Sequence, residues 1–141
     1  MRKLSVVIML FVLAVPYAQA QKLVVPEVVK AKVKALYPQA NDVDWELEDG
    51  NYEAEIEQKG SSDVSVVLNA QGSVLETETE IKVSELPTAV RTYVAQQLGN
   101  KKIKEAAKIV KADNTVEYEA QVGKKDYLFD SVGVFLKIAG K

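Results

Sequence analysis

Two hydrophobic rhythms alternate along this chain. Apolar residues recurring every three or four positions predict helix. Apolar residues recurring every second position predict a strand with one buried face. The clearest two-residue rhythm runs through Trp45-Glu46-Leu47-Glu48, breaks at Asp49-Gly50-Asn51 and resumes in Tyr52-Glu53-Ala54-Glu55-Ile56. It reads as a β-hairpin in which Trp45, Leu47, Tyr52, Ala54 and Ile56 face a core and the acids face water, with Asp-Gly supplying the positive φ of a tight turn. On this phase Trp45 is a core residue. Before the hairpin, Leu23–Tyr37 predicts a helix opening near Pro26, where a missing N–H costs nothing. Val29, Val33, Leu36 and Tyr37 form its apolar stripe, and Pro38 ends it. After the hairpin come a strand over Asp63–Leu68, a turn at Asn69–Gly72, and a strand over Ser73–Ile81 in which Thr77 and Thr79 alternate with Glu76, Glu78 and Glu80.

The pattern then starts again. Leu86-Pro87 matches Val25-Pro26, and Val90, Val94 and Leu98 match Val29, Val33 and Tyr37, each 61 positions on. Gly99-Asn100 ends the second helix. Ile103 to Val110 and Thr115 to Val122 form a second hairpin, carrying Tyr118-Glu119-Ala120 where the first has Tyr52-Glu53-Ala54. Strands over Asp126–Phe129 and Val134–Ile138 follow, across a turn at Asp130–Gly133 that matches Asn69–Gly72. An internal repeat of this kind outranks any single motif. The predicted fold class is α+β: two tandem helix-plus-four-strand repeats, residues 24–81 and 84–139, forming one antiparallel sheet of about eight strands with both helices on one face. Each repeat is too short to bury much core alone, so residues 21–141 are expected to form a single domain.

Residues 1–20 are expected to be a signal peptide. Arg2 and Lys3 make a basic start, Leu4–Val15 is apolar apart from Ser5, and Ala18-Gln19-Ala20 is a small-x-small cleavage site. The apolar run is short for a membrane span, so no stable membrane insertion is expected after cleavage, and the protein is expected to be periplasmic or secreted. The 141-residue chain has 18 basic and 20 acidic residues; without Arg2 and Lys3 the balance is 16 to 20, a net charge of −4. That balance argues against nucleic acid as a partner. The chain has no cysteine and no histidine. Disulfides, thiolate chemistry, imidazole ligands and the commonest general base are therefore excluded.

The set Leu36-Tyr37-Pro38-Gln39-Ala40, Val43-Asp44-Trp45-Glu46, Gly50-Asn51-Tyr52-Glu53-Ala54 and Leu68-Asn69-x-x-Gly72 resembles the PepSY-like, β-lactamase-inhibitor-like family of exported bacterial proteins. The resemblance covers essentially the whole chain after residue 20. It implies a secreted binding or inhibitory module, because related PepSY domains are implicated in restraining secreted proteases and inhibitors of this fold class bind enzymes on a sheet face. The second repeat departs from the Trp-bearing motif, with Ala107 and Lys108 in that area. The alternation also places nearly every aromatic on the inner face, whereas inhibitory faces lean on exposed aromatic anchors.

Carboxylates are the remaining candidate chemistry. Asp42, Asp44 and Asp49 are hard oxygen donors suited to calcium, though their spacing is not that of an EF-hand loop. Alternating acids on strands are most often a solvated face, so no catalytic, cofactor or metal residue is assigned. If Val64, Val66 and Leu68 point at the helices, Val67 points away, and so does Leu128 one repeat later. Glu46, Glu48, Glu53, Glu55, Glu117 and Glu119 share that outer face. The predicted interface is thus an acidic rim around a small exposed apolar centre of Val67 and Leu128, the layout of an interface core and rim. The expected function is a non-enzymatic binding or inhibitor-like module whose partner is an exported or envelope protein. A carboxylate-dependent enzyme and a structural envelope protein are the alternatives.

Overall fold

The computed structural model describes residues 23–139; the expected signal peptide over 1–20 and its cleavage site lie outside the described residues. Helix α1 spans Glu27–Leu36. Strands β1 (Val43–Glu48), β2 (Asn51–Ile56), β3 (Val64–Leu68) and β4 (Val74–Glu80) follow. A 3-10 turn at Val83–Glu85 leads into α2 (Thr88–Gln97), and β5 (Ile103–Lys111), β6 (Val116–Val122), β7 (Lys125–Asp130) and β8 (Phe135–Ala139) complete the chain. All eight strands form one antiparallel sheet in sequence order, so every neighbour in the sheet is a neighbour in the chain. The predicted fold class and its two repeats are borne out.

The repeat is visible in detail. Asn69 Oδ1 accepts from the Gln71 and Ser73 amides at 3.0 and 2.9 Å, and Asp130 Oδ1 accepts from Val132 and Val134 at 3.0 and 2.8 Å. These are the same Asx-type turn one repeat apart. A β-bulge precedes each, at Val67/Leu68 and at Leu128/Phe129. Each turn glycine meets its helix: a Cβ on Gly72 would lie 3.2 Å from the Val28 carbonyl oxygen, and one on Gly133 would lie 2.9 Å from Ala89 Cβ. With φ of +79° and +91°, both positions suit glycine twice over.

Two separate cores lie between helices and sheet. Val29 and Val33 of α1 pack on Ala54, Ile56, Val64, Val66 and Leu68. Val90 and Val94 of α2 pack on Ala106, Ala120, Val122, Tyr127 and Phe129. Tyr93 joins the second core, stacked on Phe135 at 5.0 Å and edge-on to Phe129 at 5.4 Å. Between the cores, Thr77 pairs with Val66 and Val110, and Thr79 with Val64 and Lys108.

Three expected core positions are corrected. Trp45 is only half-buried and Leu47 is 58% exposed, because β1 is the sheet's first strand and α1 covers its neighbours more fully. Leu36 is exposed at the last turn of α1, beyond the two valines that touch the sheet.

Candidate functional site

The face of the sheet away from the helices carries the candidate site. Strand pairing brings side chains from all parts of the chain into rows across it. One row runs Glu46, Glu53, Val67, Glu76, Lys111. The next runs Asp44, Glu55, Ser65, Glu78, Ile109, Glu117, Asp130. A third runs Glu80, Ala107, Glu119, Leu128, Lys137. All eight expected interface residues, Glu46, Glu48, Glu53, Glu55, Val67, Glu117, Glu119 and Leu128, therefore share this face. The exposed apolar centre does not exist as expected: Val67 is 8% and Leu128 7% exposed. Ile109 and Ala107 lie on the same face and are buried as well. Each sits between longer side chains on neighbouring strands, so the apolar residues form a floor and the carboxylates stand above it.

A groove of about 450 Å³ opens over β2–β6, lined by Glu53, Glu55, Glu57, Asp63, Glu78, Glu80, Glu105 and Glu119 together with Ser65 and Ala107. No basic side chain lines it. A second hollow of about 260 Å³ adjoins it and includes Glu48, Glu76, Glu117, Lys111 and Lys137. Lys111 Nζ bridges Glu76 at 3.1 Å and Glu117 at 3.4 Å. Burial works against its charge, but those two carboxylates outweigh it and hold the ammonium above its ordinary pKa. Ser65 Oγ donates to Glu53 Oε1.

Glu78 is the central group. It sits on β4 between Ser65 and Ile109. Burial pushes its carboxyl up to about 8, and the charges of Glu119, Glu53, Glu76 and Glu48 add to the shift. Glu48 is raised too, first by desolvation and then by Glu53, Glu76 and Asp49, with Lys111 opposing. Among the described residues, one trio of acids, Glu46, Glu53 and Glu55, brings carboxylate oxygens within 4.8 Å of one another. Asp42, Asp44 and Asp49 form no such trio. The aromatics of the described chain lie elsewhere: Trp45, Tyr52, Tyr118, Tyr127 and Phe129 are packed on the helix side with the cores.

Comparison with known proteins follows the same two-repeat division. The family described as "Putative beta-lactamase-inhibitor-like, PepSY-like" matches the chain twice, over residues 14–76 and 69–137. The chain belongs to this family. Among solved structures, a protein of Bacteroides eggerthii described with the words "putative periplasmic proteins" superposes with a TM-score of 0.70 at 21% identity, covering 82% of this chain and 88% of its own. A DUF2874 family protein of Bacteroides uniformis gives 0.67 at 21% identity, with 81% and 88% covered. A BLIP-like protein of Bacteroides fragilis gives 0.61 at 24% identity, with 84% and 88% covered. These likenesses are of fold. No curated protein matches the chain. No described helix is long and apolar enough to cross a membrane.

In this PepSY-like chain the outer face was legible residue by residue, but its most perturbed group was not. Glu78 stands in a run of alternating Glu and Thr that looks uniformly solvated. Only the position of β4 in the middle of the sheet, with strands on both sides, separates Glu78 from Glu46 on the edge. The signal available was the repeat itself, since the last strand of the first repeat must meet the first strand of the second. Lys111, which lines the second hollow, lies just past the predicted end of its strand.

Proposed function

We propose that the protein is an exported, non-enzymatic binding module that engages a basic surface of another exported or envelope protein through the outer face of its sheet. One observation carries the reading: a groove lined by eight carboxylates and no cation, on the broad sheet face that no described helix covers. The family's inhibitor-like character and the fold of the BLIP-like relative support a binding role. The face offers charge without aromatic anchors, so association is expected to be fast, salt-sensitive and moderate in affinity. Because Val67 and Leu128 are covered, the informative changes are at exposed acids. A Glu48→Lys/Glu55→Lys variant should keep its melting behaviour and lose at least about tenfold in association rate with a partner captured from envelope extract. Unchanged association at low salt, with the fold intact, would remove the outer face as the interface.

A second reading, a carboxylate-dependent hydrolase, is favoured by one feature. Glu78 would hold a proton near neutrality beside ionised neighbours, the pairing that general acid–base catalysis uses. Turnover that survives purification and disappears in Glu78→Gln would establish it over the binding reading.

A further inference from the structure

The two repeats treat equivalent edges differently. In the second repeat, β5 is paired along its leading edge by β4, from Glu76↔Lys111 to Glu80↔Ala107. Beyond β4 the chain keeps to that edge: the Ile81 amide donates to the Ala106 carbonyl at 2.9 Å, and Ile81 and Val83 pack against the second core. Arg91 of α2 then clasps the passing backbone, Nη1 donating to the Ser84 carbonyl at 2.9 Å and the Leu86 carbonyl at 2.7 Å. The edge of β5 is thus covered by β4 and, past its end at Glu80, by the linker residues Ile81 and Val83, the latter opening the 3-10 turn.

Sixty-one residues earlier, Ala106 becomes Trp45, Arg91 becomes Lys30, and β5 becomes β1. Here, among the described residues, no strand pairs with the edge, since β1 is the first strand in the sheet order. Between α1 and β1 lies a cleft of about 330 Å³ lined by Trp45, Val33, Tyr37, Lys30 and Lys34. Lys30 holds only Glu27, at 2.8 Å in an exposed pair of the kind that exchanges at little cost. On the other side of the edge, β1 presents Asp44, Glu46 and Glu48. The positions opposite Glu80 and Glu78 on β5 are Ala107 and Ile109; their counterparts on β1 are Glu46 and Glu48. A strand seated on β1 therefore needs cations where β4 has acids.

We propose that the free edge of β1 and the Trp45 cleft receive an extended segment of a partner protein, added antiparallel as a ninth strand. Its alternate aliphatic side chains enter the cleft as Ile81 and Val83 do in the second repeat. Its intervening residues are lysine or arginine, facing Glu46 and Glu48. Backbone hydrogen bonds supply affinity and the two side-chain rows supply selectivity, as in other strand-addition complexes. This surface is separate from the acidic groove and stands or falls independently of it.

The probe is the chain's own Glu76–Val83 with each glutamate replaced, the peptide Lys-Thr-Lys-Thr-Lys-Ile-Lys-Val with blocked ends. Trp45 is the sole tryptophan, so its emission reports on the cleft alone. Titrating the peptide into the exported protein should give a saturable blue shift of that emission and slow hydrogen exchange at β1 amides. The unaltered acidic sequence should bind at least about tenfold more weakly at low salt. Leu47→Pro removes an amide two residues from Trp45 at an exposed edge position and should weaken binding by a similar factor of about ten. If that variant fails to fold, the emission and exchange of the unaltered chain still decide. An unchanged Trp45 spectrum and unchanged β1 exchange at millimolar peptide would overturn the proposal. So would protection confined to β3–β6, or equal binding of the acidic peptide. Protection of β1 before peptide is added would also overturn it: in a concentration-dependent dimer the occupant is a second copy, and in a monomer it is the chain's own segment before Leu23.

Discussion

Replacing Glu78 with glutamine should make the protein more stable as the pH rises, relative to the unaltered chain. The folded carboxyl keeps its proton to about pH 8, against an ordinary value of 4.5. Between those values the folded state binds a proton that the unfolded state has released, so stability falls with rising pH, at most about 1.4 kcal/mol per unit for one group. Below the lower value Glu78 is neutral in both states and contributes no slope; above the upper value it is ionised in both and the penalty is complete. Glutamine keeps the size and never ionises. The gap in unfolding free energy between Glu78→Gln and the parent should therefore widen by about 2 to 3 kcal/mol from about pH 5 to about pH 8, allowing for solvent that reaches the groove. Urea unfolding at the two pH values measures it, with equal m-values as the check that the unfolded states match. A gap that stays constant to within about 0.5 kcal/mol would show that Glu78 ionises normally, and the burial argument for the centre of the groove would be wrong.

Three further substitutions test the packing. Trp45→Ala should cost about 1 to 2 kcal/mol in urea melts, less than the 3 to 5 of a fully buried aromatic, because the indole on the first strand of the sheet is only partly buried; a loss in the upper range would mean that β1 is covered. Gly133→Ala combines a φ of +91° with a Cβ contact of 2.9 Å to Ala89, and should cost about 2 to 4 kcal/mol, whereas Gly60→Ala, with φ +79° and open space, should cost about 1. Equal losses at the two glycines would show that the turn–helix contact is slack.

Phase was readable from the sequence, and depth was not. Alternation correctly assigned Trp45, Tyr52, Ala54 and Ile56 to the helix side and Glu46, Glu53 and Glu55 to the outer side, because a strand's side chains must alternate whatever surrounds it. The 61-residue repeat predicted two like halves and about eight antiparallel strands, and the sequential strand order emerges only in the fold. Depth depends on what lies across the sheet. Leu47 and Ile56 share a phase, yet one is 58% and the other 2% exposed, since among the described strands β1 has a neighbour on one side and β2 has neighbours on both. Val67 and Leu128 show the converse: they point away from the helices as expected and are still covered, by the carboxylate-bearing side chains of flanking strands.

The same distinction explains why two repeats so alike in backbone carry different side chains at their leading edge. In the second repeat the linker strand supplies the apolar cover, and Ala106 leaves room for Ile81 and Val83. In the first repeat no described strand reaches that place, and the position is occupied by Trp45, whose indole covers part of the core that the linker covers one repeat later. A large aromatic at an edge protects a core cheaply but incompletely, and the cleft beside it is what remains. The difference between Ala106 and Trp45 therefore follows from the order of the described strands more than from the local pattern around either residue.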